Sequence, residues 1–114
     1  MRILVCGGRK FADSDKLNRT LDQAHSAGPI TVLIHGLATG ADTLAGEWAE
    51  RHNVPVEGYR ADWGKYGKRA GPIRNAEMLK QGHPRLVIAF RGGQGTKGMI
   101  EQARAVGVPV LVID

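Results

Sequence analysis

Short apolar runs alternate with segments of helical spacing along the whole chain, and that alternation narrows the fold more than any other feature. The runs are Arg2–Cys6, Ile30–His35, Val54–Val56, Leu86–Phe90 and Pro109–Ile113. Between the first two, Asp13, Ser14 and Asp15 are good capping types, and Leu17, Leu21 and Ala24 recur at helical spacing before Gly28-Pro29. The next segment places Leu44, Ala45, Trp48 and Ala49 on one face, with Thr39 or Asp42 as its cap. Pro55 puts the third run at a sheet edge or at a strand's first residues. Pro72 suits the first turn of a third helix and Gly82 its end, and a last helix finishes near Gly107. Strand–helix alternation predicts a mostly parallel sheet with helices on both faces and right-handed crossovers. The expectation is a single α/β, Rossmann-like domain over residues 1–114, its five strands ordered 3-2-1-4-5. No repeat, low-complexity tract or linker interrupts it.

Ligands in such folds sit beyond the carboxyl ends of the strands, where the strand order reverses. Three glycine-bearing turns are expected at that edge. Gly92-Gly93-Gln94-Gly95-Thr96 follows the fourth run and opens a helix. Its backbone N–H groups and the Thr96 hydroxyl suit a phosphate, although the same residues also make a tight turn with a Thr cap. Cys6-Gly7-Gly8-Arg9 leaves the first strand, and Arg9 is in reach of an anion there. His35-Gly36 and Gly40-Ala41-Asp42 leave the second. Gly36 allows close approach, and His35 is either a donor to ligand or a satisfied buried histidine. Asp42 suits a ribose hydroxyl, a basic side chain or a helix cap.

The net charge of +5 is concentrated. From Arg60 to Arg74, the cations Arg60, Lys65, Lys68, Arg69 and Arg74 face only Asp62, which suggests an anionic partner or simply a solvated loop. Tyr59 to Gly71 reads as a long polar connection, and connections of that length are often functional. Trp63 and Tyr66 lie among its lysines, where an aromatic can stack on a base, act as a lid or make a dimer contact. Arg74 and Asn75, in the first turn of the following helix, suit phosphate or ribose, and Glu77 lies one turn on.

Several classes are disfavoured. The histidines lack metal-ligand spacing and one cysteine builds no zinc site, so no metal is expected. GxxxxGK[ST], GxSxG and the full GxGxxG pattern are all missing, which disfavours ordinary NAD binding. No cofactor is identified. No apolar run approaches the ~20 residues of a membrane span. Met1-Arg2 leads directly into a strand rather than a signal peptide, and the lone Cys6 fits a reducing compartment, so a cytoplasmic location is expected.

Cys6-Gly7-Gly8-Arg9-Lys10-Phe11, His35-Gly36 with Gly40-Ala41-Asp42, Asp62-Trp63 with Gly71-Pro72-Ile73-Arg74-Asn75, and Gly92-Gly93-Gln94-Gly95-Thr96 resemble the YspA-like, cpYpsA-related family of the SLOG superfamily. The resemblance covers nearly the whole chain. It implies a Rossmann-like fold that binds nucleotides or nucleotide-derived ligands, often as a homodimer or higher homo-oligomer. More distant relatives in that superfamily are the Lonely-guy phosphoribohydrolases and the DNA-processing protein A. The Lonely-guy pattern PGGxGTxxE is matched by Gly92, Gly93, Gly95 and Thr96, and Arg74 is the counterpart of the catalytic arginine. Arg91 replaces the proline, and Met99 stands where the carboxylate that stabilises a ribosyl cation belongs. Glu101 points about 200° away on a helix.

Three functions remain open at this level. The first is a binding module or sensor for a small nucleotide or ADP-ribose-like ligand. It would use Gly7, Gly8, Arg9, His35, Gly36, Gly40, Asp42, Trp63, Arg74, Asn75 and Gly92 to Thr96. The second is a phosphoribohydrolase cleaving the N-glycosidic bond of a nucleoside monophosphate, with Arg74 and either Asp42 or Glu77 as catalytic groups. The third is single-stranded nucleic acid binding, for which one concentrated patch is a poorer fit than a small anion.

Overall fold

The computed structural model describes residues 1–114. Its strands are β1 (Arg2–Cys6), β2 (Val32–His35), β3 (Val56–Gly58), β4 (Leu86–Ala89) and β5 (Val110–Val112). The helices between them are α1 (Ser14–Ala27), α2 (Ala41–Arg51), the short α3 (Trp63–Tyr66), α4 (Ala70–Gly82) and α5 (Gln94–Ala105). A 3-10 turn (Gly67–Arg69) joins α3 to α4. The sheet order is β3-β2-β1-β4-β5, as the alternation predicts, and every pairing is parallel. Register sets Ile3 beside Leu33, and Cys6 beside Ala89.

Because strand side chains alternate, each central strand supplies both cores. Ile3, Val5, Leu33, Ile88 and Phe90 pack against Leu17 and Leu21 of α1 and Ala45 and Trp48 of α2. Leu4, Cys6, Ile34, Val87 and Ala89 pack against Met78 and Leu79 of α4 and Met99 and Ala103 of α5. Trp48 is fully buried, and its Nε1–H donates to Asp22 at 2.9 Å. No helix is long and apolar enough to cross a membrane.

Local differences from the sequence expectations have identifiable causes. The third strand begins at Val56 rather than Val54, because the Val54 amide closes the end of α2 on the Ala49 carbonyl and Pro55 has no N–H to donate. The second strand begins at Val32, since the Ile30 amide is taken by the His25 imidazole. The polar connection from Tyr59 to Gly71 is itself partly helical, with Asp62 capping α3 through the Lys65 amide at 3.0 Å.

Neither Thr39 nor Asp42 caps α2. Gly40 takes that position at φ 78°. A side chain there would overlap the Gly8 carbonyl oxygen and come within 2.6 Å of Arg9 backbone. The tight crossing of two loops therefore fixes a glycine cap, and Asp42 is free to reach backwards instead.

Candidate functional site

The exits of β1 and β4 lie side by side and interlock. The Gly8 amide donates to the Arg91 carbonyl at 2.9 Å, and the Gly8 carbonyl accepts from Ala41 at the start of α2 at 3.2 Å. A Cβ on Gly8 would stand 2.9 Å from the Arg91 oxygen, and one on Gly92 would stand 2.7 Å from the Gly8 nitrogen. Any side chain would force these loops apart. The glycines of the two turns thus bring three chain segments to one edge.

A cleft of about 500 Å³ opens there, within the roughly 300–1,000 Å³ of small-molecule sites. Cys6, Gly7 and Gly8 form one side, and Gly93 to Thr96 form another. Helix α4 contributes Gly71, Arg74, Asn75 and Met78, which share one helical face. Arg9, Trp63 and Lys68 stand around it. Gly93 is the N-cap of α5 with no side-chain cap bond, and the first intrahelical acceptor it offers goes to Lys97. The amides of Gln94, Gly95 and Thr96 consequently lack intrahelical partners at the positive end of a 12-residue helix.

Arg74 is anchored rather than free. Its Nη1–H donates to the Gly36 carbonyl at 2.7 Å and its Nε–H to Asn75 Oδ1 at 2.9 Å. Asn75 is buried and donates through Nδ2 to the Gly95 carbonyl at 3.3 Å, tying α4 to the first turn of α5. Burial pushes the Arg74 pKa down, opposed by the nearby Asp42 carboxylate, while the Arg9 cation adds to the downward push. The Arg9 guanidinium carbon lies 5.4 Å from the ring centroid of Trp63, which is 48% exposed. This cation–π pair stands at the mouth of the cleft.

Asp42 lines the cleft but is already engaged. Its Oδ2 accepts from the Gly36 amide at 3.0 Å and the Ala38 amide at 3.2 Å. Burial raises its pKa, with those amides, His35 and Arg74 pulling the other way. Burial also lowers the His35 pKa against the pull of Asp42. The Cys6 thiol is pushed up to about 12, first by burial and then by Asp42, so it remains protonated and is no nucleophile near neutral pH.

The structure brings Gly7, Gly8, Arg9, Asp42, Trp63, Arg74 and Asn75 together with Gly93, Gln94, Gly95 and Thr96. Other expected site residues lie elsewhere. His35 is buried, with Nδ1 accepting from the Leu37 amide at 3.0 Å and Nε2 turned toward Gly46 of α2. Gly36 is covered by Arg74, whose Nη1 would stand 2.5 Å from a Cβ at that position. Gly40 and Gly92 serve the loop crossing, and Gly92 faces a separate groove beside Val112. Glu77 is exposed and lies close enough to Tyr59 to act on its charge, away from the cleft. The Lonely-guy glutamate position carries Met99, fully buried against the sheet.

Lys68 and Met78 are lining residues that sequence reasoning did not single out for this site. The basic stretch carried the signal for Lys68, and the spacing 71, 74, 75, 78 carried it for Met78.

The family described as YspA, cpYpsA-related SLOG matches residues 1–66. The Gene 61 protein of Mycobacterium phage D29 is 37% identical over 118 residues, covering 96% of this chain and 94% of that protein. Among solved structures, DNA processing protein A from Streptococcus pneumoniae superposes with a TM-score of 0.77 at 19% identity. That match covers 99% of this chain and 50% of the pneumococcal chain, so the shared part is a Rossmann-like fold about half the length of its neighbour.

Proposed function

This chain belongs to the YspA, cpYpsA-related SLOG family, and from that premise we propose that its cleft binds the phosphate end of a small nucleotide or nucleotide-derived ligand, as a binding module or sensor. One observation carries the reading. The unpartnered amides at the start of α5 face the same cleft as Arg9, Lys68 and Arg74, and the one carboxylate there, Asp42, is held by two backbone amides. A phosphate placed against Gly93 to Thr96 satisfies the helix terminus and both kinds of cation. Trp63 offers its exposed face to the base.

Turnover as a phosphoribohydrolase has less support. Met99 supplies no charge at the position where a ribosyl cation needs a carboxylate, and Glu77 stands outside the cleft. The word DNA in the neighbour's name raises nucleic acid as a second ligand class. The exposed cations Arg60, Lys65, Lys68 and Arg69 would serve it.

Thermal-shift measurement with nucleoside monophosphates tests the reading. A ligand at about one hundred times its Kd adds about 2.7 kcal/mol, or roughly 10 °C in a domain of this size. A flat melting temperature across the purine and pyrimidine monophosphates at millimolar concentration refutes it. Binding confined to oligonucleotides, with a steep salt dependence, would assign the cleft to nucleic acid instead.

A further inference from the structure

On the far side of Arg74 from the α5 turn lies a second cavity of about 270 Å³. It adjoins the first, because Arg9, Ala38, Trp63 and Arg74 line both. Its other walls are the loop Gly36 to Thr39 and the segment Arg60-Ala61. Three of its lining residues are arginines and none is acidic. None of the three is salt-bridged: the ion pairs of the molecule are Arg2 with Glu57 and His52 with Asp22. Arg9 and Arg74 repel one another across the boundary.

The loop beneath is built rather than slack. Leu37 is held at φ 57°, an unfavourable conformation for a leucine, by the bond from its amide to the buried His35 ring. The neighbouring Gly36 and Ala38 amides are held by Asp42. The hydrogen bonds that fix Arg74 use Nε and Nη1, one directed to Asn75 beside the first cavity and one to Gly36 beside the second. The guanidinium thus forms a fixed partition between two concavities of like charge.

We propose that this second cavity is an anion subsite, so that the ligand is a nucleotide bearing two phosphates separated by its sugar rather than a single phosphate group. The inference rests on the first cleft taking a nucleotide phosphate. One phosphate occupies the α5 turn, the sugar passes the Arg74 partition under Trp63, and the second phosphate lies between Arg60 and Arg9. Arg60 is then a specificity residue, since it lines the second cavity and not the first.

Titration calorimetry of the full chain distinguishes the possibilities. The probes are the 5′-monophosphate, 5′-diphosphate and 3′,5′-bisphosphate of adenosine and of guanosine. The diphosphate controls for the number of phosphates and the bisphosphate for their placement. The expected result is a bisphosphate bound about tenfold tighter than either other form, as one added arginine–phosphate contact gives. Arg60→Gln removes that advantage and leaves the monophosphate Kd within about twofold. A bisphosphate no tighter than the diphosphate overturns the second subsite, as does Arg60→Gln weakening all three forms equally. In both cases monophosphate binding leaves the first cleft's assignment standing. Failure of every form to bind overturns both assignments.

Discussion

Two glycines at this edge have opposite surroundings, and alanine at each should separate architecture from function. Gly40 sits at φ 78°, and a Cβ there would meet backbone of Gly8 and Arg9 at 2.6 Å or less. With ψ at −124° the backbone lies outside the left-handed helical well, where only glycine is readily accommodated, and a side chain there costs roughly 1–3 kcal/mol. Wedging a methyl against backbone adds about 1–3 kcal/mol. Gly40→Ala should therefore lose about 2–6 kcal/mol, lowering Tm by at least about 8 °C at the 4–8 °C per kcal/mol of a domain near this length.

Gly95 lies in the first turn of α5, and a Cβ placed on it would have nothing within 4 Å. Gly95→Ala should leave stability unchanged or raise it by up to about 1 kcal/mol, because alanine restricts the unfolded chain. Gly95 nevertheless lines the cleft, so a methyl there should narrow the space for a ligand phosphate and lower nucleotide affinity about tenfold or more. Urea unfolding of both variants, followed by nucleotide titration of Gly95→Ala, checks the pair. A Gly95→Ala variant that binds normally, or that unfolds more than about 1 kcal/mol earlier, refutes the assignment of open space at the turn to ligand. A Gly40→Ala variant as stable as the parent refutes the loop-crossing argument.

Two further expectations follow from the same geometry. Trp63→Ala should change stability by less than about 0.5 kcal/mol, because the side chain is exposed. It should weaken nucleotide binding by about 1–3 kcal/mol if a base stacks there, while inorganic phosphate binding stays constant; equal losses for both ligands would remove the stacking role. Burial holds His35 below its ordinary pKa of 6.5, so between the folded value and 6.5 the unfolded chain binds more protons. That contribution to stability is complete above pH 6.5 and is lost as pH falls toward the folded value. Unfolding free energies from pH 8 to 5 should decline more steeply for the parent than for His35→Gln, and parallel curves would contradict it. Asp42 works in the opposite sense, since its raised pKa makes stability fall as pH climbs from 3.8 through the folded value.

Period and punctuation alone determined the sheet order and the two-faced core. Strand residues that alternate between faces, helices at 3.6-residue spacing and short connections admit few right-handed parallel arrangements, and this sequence satisfies one of them. The same logic placed Gly7-Gly8 beside Gly93 to Thr96, because adjacent parallel strands must end at one edge. Side-chain direction within a loop has no period, and there the chain text is silent. His35 and Asp42 look alike as polar residues near a strand exit, yet one turns under α2 and the other lines the cleft. Gly36 suggests an open approach, yet Arg74, 38 positions later, is bonded to its carbonyl and covers it. Glu77 and Arg74 stand three positions apart on one helix, yet Arg74 lines the cleft and Glu77 does not. Such outcomes depend on contacts between distant segments, and packing, not local preference, decided them.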